Sequence, residues 1–241
     1  MAKFYPLKVV EKHLLTPESI GISLQVPDDL KDIFKFSPGQ FVMVEKEIDG
    51  ENLRRYYSIY SSISDNDIKL GIKLKGKDGF AEYAMNSLQV GDILQVSAPM
   101  NDVPFDIENA QNKKSLAITI GSGITPFYSI IRSVIAKQTQ SKIVLVYGNH
   151  SVDKTMFYNE LKSLMQQHPD YLQVYFVNSQ DDKGDFQGRI TPDILTDILS
   201  KEGVDFDAVY MIGPDDLKKI SAKILEEKGI APDKMHYRVY S

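Results

Sequence analysis

The sequence predicts two domains in tandem, a six-stranded antiparallel β-barrel over residues 1–105 and an α/β domain on a parallel sheet over residues 115–241. Three observations carry that expectation. The first hundred residues alternate apolar and polar positions in short runs bounded by turn residues. From Ser115 onward, apolar runs alternate with helical patterns. Between them MNDVPFDIENAQNKK, residues 100–114, has one proline and no periodicity, and the linker is placed within it at residues 106–114.

In the first half, strands are expected at residues 4–13, 20–26, 40–45, 54–60, 68–75 and 93–98. Ile20, Ile22, Leu24 and Val26, and again Ile68, Leu70, Ile72 and Leu74, place one face inward and the other in water. Pro38-Gly39 and Val90-Gly91-Asp92 supply turns, and only residues 81–87 have a helical pattern. The second half gives strands at 116–120, 143–147, 172–177, 208–212 and 235–240. Helical patterns near 126–137, 155–168, 192–200 and 217–228 separate them. Runs this apolar are buried on both faces, which requires parallel pairing with helices on either side. Ligands of such sheets sit beyond the carboxyl ends of the strands. Gly121-Ser122-Gly123, Gly148-Asn149 and Gly213-Pro214 stand at three of those ends.

At 241 residues, with 42% hydrophobic and 25% charged positions, the chain has the composition of an ordinary soluble protein. A net charge of -5 and the lack of any basic run interleaved with aromatics argue against nucleic-acid binding. No run of about 18 apolar residues occurs and MAKFYPLKVVEKH has no apolar leader core, so a cytoplasmic location without a membrane span is expected. With no cysteine, disulfides, thiolate-held clusters and cysteine nucleophiles are excluded. His13, His150, His168 and His236 lack metal-ligand spacing, and no metal site is expected. Redox chemistry would have to ride on an organic cofactor.

Two segments carry that chemistry. SLAITIGSGITPFYSII is a buried strand that breaks at Gly121-Ser122-Gly123 and restarts as a helix through Thr125-Pro126. Glycines let backbone approach an anion, and the helix start offers unpaired N–H groups with partial positive charge. Pro126 suits a first helical turn because its missing N–H leaves no bond unmade. Upstream, Arg54-Arg55-Tyr56-Tyr57-Ser58-Ile59 sets Arg55, Tyr57 and Ile59 on one side of a strand and Ser58 on the other. An arginine fork matches a pyrophosphate, a tyrosine ring stacks on a planar heterocycle, and a hydroxyl meets a ring nitrogen. These are the needs of a flavin dinucleotide.

Arg55-x-Tyr57-Ser58, Gly121-x-Gly123-x-Thr125-Pro126, Tyr147-Gly148-Asn149 and Gly213-Pro214 occur in that order over nearly the whole chain. Together they resemble the ferredoxin-NAD(P)H reductase family, and within it the reductase components of multicomponent oxygenases such as those of phenylacetate degradation, here without an iron-sulfur domain. The resemblance implies FAD as cofactor, with Arg55 on its pyrophosphate, Tyr57 on the isoalloxazine, Ser58 near N5 and Ile59 beside them. The segment KLKGKDGFAEY, from Lys73 through Gly79, would bring the N–H groups of Phe80 and Ala81 to the pyrophosphate. Gly121, Gly123, Thr125, Pro126, Asn149, Gly213 and Pro214 would hold NADH or NADPH, with Thr125 close to both rings. Tyr240 resembles a terminal aromatic that covers the flavin and yields to nicotinamide, and equally suits a core-closing strand end.

The chain departs from the family pattern at Ala81, where a serine is usual, at Ile212, where a cysteine is usual, and at Arg238, where a glutamate is usual. Hydride transfer needs two stacked rings and no acid or base, so these changes are expected to slow turnover without abolishing it. His150 and Gln180 stand where NADPH-using relatives commonly have arginines, which favours NADH, although Arg189 has the reach to approach the same place. Asp181-Asp182 and Asp215-Asp216 are expected at a loop and a helix start, Ser151 as a helix cap, and Phe157 with Leu161 on one core-facing helical side.

The expected activity is electron transfer between NAD(P)H and an external acceptor such as a ferredoxin or flavodoxin, with a quinone or free flavin as other acceptors. Two rivals remain at this level. One is a reductase that uses free flavin as substrate, and the other is a non-catalytic nucleotide-sensing module derived from a reductase. The domains would meet at a shared crevice with the Arg55 strand on one wall and the glycine bend on the other.

Overall fold

The computed structural model describes residues 3–48, 50–74, 79–100 and 105–239. Two compact units divide the chain, one of residues 1–107 with 125–133 and the other of residues 108–124 with 134–241.

The first unit holds β1 (Phe4–Thr16), β2 (Ser19–Gln25), β3 (Phe41–Ile48), β4 (Glu51–Ser58), β5 (Ile68–Lys73) and β6 (Ile93–Ser97). They form one sheet in the order β4-β3-β6-β1-β2-β5, antiparallel throughout. An antiparallel bridge between Ile59 and Leu70 joins the two ends, with the Tyr60 N–H donating to the Lys69 carbonyl at 2.9 Å. That closure makes the sheet a barrel and removes its free edges there. Ile20, Ile22, Leu24, Ile68, Leu70 and Ile72 fill the interior with Leu7, Val42, Val44, Leu94 and Val96. The α-helix α1 (Gly79–Asn86) lays Phe80, Ala81 and Ala84 against this core.

β1 runs three residues beyond its expected end. Its register shifts between Val9 and Glu11 and between Leu14 and Thr16, and each bulge breaks the period-2 pattern by which a strand is recognised. Segment 105–114 is less polar in fact than in composition, since Phe105, Ile107 and Ala110 are buried.

The second unit contains β7 (Lys114–Ile120), β8 (Lys142–Asn149), β9 (Leu172–Asn178), β10 (Phe186–Gln187), β11 (Ala208–Gly213) and β12 (Met235–Val239). Their order is β10-β9-β8-β7-β11-β12 and every pairing is parallel. The helices are α2 (Ile124–Lys137), α3 (Tyr158–Gln167), α4 (Pro192–Glu202) and α5 (Asp215–Glu227). Helices joining parallel strands bury Leu116, Ile118, Val144, Val146, Val177 and Val209 against Leu195, Ile198, Leu217 and Leu225. The chain leaves β7 in one direction for β8 and β9 and returns to its other side for β11 and β12. That reversal is the topological switch point, where ligands of such sheets bind beyond the strand ends.

Three sequence expectations shift. The two-residue β10 is too short to leave a periodic signal. α3 begins at Tyr158, three residues later than expected, because Phe157 stands before it in the left-handed conformation, with φ 60°. Phe157 still serves the helix through its carbonyl, which accepts from the Leu161 N–H at 2.8 Å, and both side chains are buried. Ser151 does not cap by a backbone N–H; its hydroxyl pairs with the Asp153 carboxylate. Tyr240 lies outside the described residues.

Residues 125–133 of α2 pack with the barrel unit. There Arg132 grips the Asp65 carboxylate with two hydrogen bonds of 2.8 and 3.0 Å, and the Lys69 ammonium lies 3.6 Å from it. Burial pushes the Asp65 carboxyl upward, but Arg132, Lys69 and the Ser62 N–H outweigh it and hold its pKa below the ordinary 3.8. A lowered pKa means that the folded state gains stability above the ordinary value and loses it as pH falls through 3.8 and below. Acid unfolding followed by circular dichroism is therefore expected to begin at higher pH in Asp65→Asn, with a flatter dependence below pH 4 in the variant.

Candidate functional site

On β4, Leu53, Arg55 and Tyr57 share one face, while Arg54 and Tyr56 on the other are exposed. The pairing Val44↔Arg55 and Val42↔Tyr57 with β3 fixes that orientation. α1 meets this face at two points. A Cβ on Gly79 would stand 3.2 Å from Leu53 Cδ1, and the Phe80 ring centroid is 5.7 Å from that of Tyr57 at 39°. Arg55, midway between Leu53 and Tyr57, is thus carried on the side where α1 begins. A guanidinium beside a helix start is the donor set that suits a polyanion. The Arg55 Nη1 donates to the Arg54 carbonyl at 2.9 Å, which steadies the fork.

Tyr57 is half-buried against the barrel core, and Ser58 and Ile59 are buried where β4 leaves the sheet. Lys73 ends β5, and residues 75–78 of the KLKGKDGFAEY segment lie outside the described residues. Ala81 sits wholly inside the core, so its methyl packs against barrel side chains.

In the second unit, the glycine bend forms one 3-10 turn, Gly121–Gly123, directly ahead of α2. Gly121 has φ 52°, in the left-handed region that favours glycine. Gly123 is required for a different reason, because a Cβ there would stand 2.3 Å from Thr119 Oγ1 and 3.1 Å from the Ile212 carbonyl oxygen. The Thr119 hydroxyl itself donates to that carbonyl at 2.8 Å, so β7 and β11 are locked together just below the turn. Gly213 ends β11 and exposed Pro214 precedes α5, whose first turn carries Asp215 and Asp216. The bend and the Gly213-Pro214 corner therefore lie side by side at the switch point.

Tyr147 is fully buried, and its hydroxyl donates to the Gly121 carbonyl at 2.9 Å. The same carbonyl accepts from the Ile124 N–H. Burial pushes the Tyr147 hydroxyl far up, so it stays protonated and a donor at any physiological pH. Asn149, two residues on at the end of β8, keeps its Nδ2 buried. Tyr147→Phe leaves the Gly121 carbonyl one donor short and is expected to lower stability by about 1 kcal/mol, read as a thermal midpoint about 2–4 °C lower.

Beyond the ends of β8 and β9, the Gln180 N–H donates to the His150 carbonyl at 2.7 Å and His150 Nδ1 lies 3.3 Å from the Ser179 hydroxyl. Positions 150 and 180 are thus neighbours. The Asp181 carboxylate accepts from the Val152 N–H, Asn178 Nδ2 and the Lys183 N–H, which hold its pKa below the carboxylate range, the Val152 bond foremost. Arg189 is exposed on the following loop.

Thr125 and Pro126 are buried at the start of α2, and Thr125 counts with the barrel unit. The Ile212 side chain comes close to Gly123, and Arg238 lies opposite Ile212 in the β11–β12 register. Sequence reasoning missed the tasks of Thr119 and Tyr147, single polar atoms on otherwise apolar strands. It also missed Ser129, Arg132 and Ser133, polar positions recurring on one side of an apolar helix. Among the described residues no group of three His, Asp or Glu is placed to hold a metal ion, and no helix is long and apolar enough to cross a membrane.

Residues 6–105 match the oxidoreductase FAD-binding domain and residues 118–223 the oxidoreductase NAD-binding domain. The chain is 30% identical over 239 residues to a 1,2-phenylacetyl-CoA epoxidase subunit of Escherichia coli, covering 97% of this chain and 67% of that one. It is 29% identical over 231 residues to the ferredoxin reductase component of 3-ketosteroid-9-alpha-monooxygenase of Rhodococcus rhodochrous, covering 94% of this chain and 62% of that one. The fold matches the FAD/NAD-binding domain of nitric oxide dioxygenase from Vibrio cholerae with a TM-score of 0.85 at 21% identity, over 100% of this chain and 99% of that one. With its barrel, its parallel sheet and both domain signatures in place, the chain belongs to the FAD- and NAD-binding oxidoreductases of the ferredoxin reductase type.

Proposed function

We propose that this chain is a reductase component that holds FAD tightly, oxidises NADH in preference to NADPH, and delivers electrons to a separate small carrier protein such as a ferredoxin or flavodoxin. Residues 1–105 then serve the flavin, 106–114 form a linker and 115–241 serve the nicotinamide nucleotide. Support comes foremost from the face of β4 that carries Arg55 between Leu53 and Tyr57, both of which meet the start of α1, because a guanidinium, a helix start and a flat ring fit a pyrophosphate joined to a flat ring. When bound, FAD accepts a two-electron hydride and can release electrons singly.

The protein's own residues orient and exclude. In this reading Arg55 and the N–H groups of Phe80 and Ala81 neutralise the flavin pyrophosphate, with Lys73 and Gly79 at the borders of that segment. Tyr57 supports the ring, and Ser58 and Ile59 flank its reactive edge. Gly121, Gly123, Pro126, Asn149, Gly213 and Pro214 seat the nucleotide, Thr125 meets its nicotinamide end, and Tyr240 shields the flavin. His150 and Gln180 are neighbours without a guanidinium, beside the Asp181 carboxylate, which supports NADH over a nucleotide bearing a 2'-phosphate.

Gel filtration after reconstitution with FAD separates this reading from a free-flavin reductase. The expected result is FAD eluting with the protein at one equivalent, followed by NADH-dependent reduction of an added ferredoxin. Complete loss of flavin on the column, with NADH oxidation only when flavin is resupplied, would favour the free-flavin reductase.

A further inference from the structure

The barrel unit contains a helix segment, residues 125–133, tied by side-chain hydrogen bonds to the loop after β4. Thr125, Ser129, Arg132 and Ser133 of α2 fall on one helical side, at spacings of four, three and one. The Ser129 hydroxyl donates to the Ser61 carbonyl at 2.5 Å, and the Ser133 hydroxyl accepts from the Ile63 N–H at 3.1 Å. Arg132 makes its two bonds to Asp65, and its guanidinium lies over the Tyr128 ring at 5.7 Å. The Tyr60 and Tyr128 rings pack at 6.1 Å. All of these anchors fall on the loop that continues directly from Ser58 and Ile59. Thr125 stands one turn, about 6 Å along the axis, ahead of Ser129.

Resting on the function proposed above, we propose that Arg132 is a positioning residue: through its two-pronged grip on Asp65 it fixes Thr125 in register with Ser58 and Ile59. The pair is partly shielded, with Arg132 27% and Asp65 15% exposed, and a planar fork on a carboxylate fixes direction as well as distance. Lysine at 132 would supply the charge without the fork. Small misplacements of reacting groups lower rates far more than they lower affinity.

The test compares wild type, Arg132→Ala, Arg132→Lys and the exchanged pair Asp65→Arg with Arg132→Asp, all FAD-loaded. Arg132→Ala is expected to slow flavin reduction at saturating NADH by about tenfold while the NADH dissociation constant moves less than about threefold. Hydrogen exchange at the Ile63 amide, measured without any nucleotide, is expected to accelerate in step. Arg132→Lys should fall between, and the exchanged pair should recover part of both losses. A wild-type reduction rate in Arg132→Ala, or unchanged exchange at Ile63, would overturn the inference. Should Arg132→Ala not fold, the lysine variant and the exchanged pair decide by the same two readouts. A wild-type protein that neither nucleotide reduces would instead remove the proposed function, with the exchange measurement still deciding whether Arg132 holds the loop.

Discussion

Gly123→Ala is expected to lower the rate of flavin reduction by NADH by about two orders of magnitude while leaving the flavin spectrum and FAD affinity unchanged. The added methyl would have to occupy space 2.3 Å from Thr119 Oγ1. Thr119 cannot simply rotate away, because its hydroxyl is bonded to the Ile212 carbonyl, which stands 3.1 Å from the same methyl. Either the β7–β11 lock breaks or the turn moves outward, and the N–H groups at the head of α2 move with it. Overpacking of this kind costs about 1–3 kcal/mol, so the variant should still fold. Stopped-flow reduction and a nucleotide titration read the two effects apart. Wild-type NADH affinity and rate together would mean that the turn does not hold the nucleotide.

Arg55→Ala is expected to weaken FAD binding by about 30- to 150-fold, the equivalent of about 2–3 kcal/mol for a paired, charge-assisted contact. The reason is its place on β4. Leu53 and Tyr57 on either side of it both meet the first residues of α1, so Arg55 is carried beside the helix start. Arg54 cannot take over, because it points to the opposite face and its guanidinium is engaged with Glu45. Arg55→Lys should recover only part of the loss, since an ammonium supplies charge without the bidentate fork. Flavin release measured by fluorescence gives the affinity directly. An Arg55→Ala protein that retains FAD as wild type does would remove Arg55 from the pyrophosphate.

Much of this architecture was legible in the sequence because its elements obey simple periods. The alternation of Ile20, Ile22 and Leu24, and of Ile68, Leu70 and Ile72, announced barrel strands, and all are buried. The Gly121–Gly123 turn was legible because glycine there has no substitute. Bulges in β1 erased the pattern that would have extended it to Thr16, and a left-handed Phe157 moved the start of α3, since nothing in a phenylalanine signals φ near 60°. The anchoring of α2 was illegible for another reason. Arg132 and Asp65 are 67 positions apart, and a pairing of that separation exists only once the chain has folded. Ala81 shows the limit of reading single positions against a family pattern. It stands where the family pattern has serine, and its methyl lies in the barrel core, a packing role that the pattern does not reveal.

NADH-dependent reduction of a tightly held flavin is tested most directly by an anaerobic titration of the FAD-loaded protein, freed of unbound flavin, with NADH and separately with NADPH. The yellow oxidised spectrum is expected to bleach with one equivalent of NADH and to need a large excess of NADPH. An oxidised spectrum that persists with both nucleotides would contradict that chemistry.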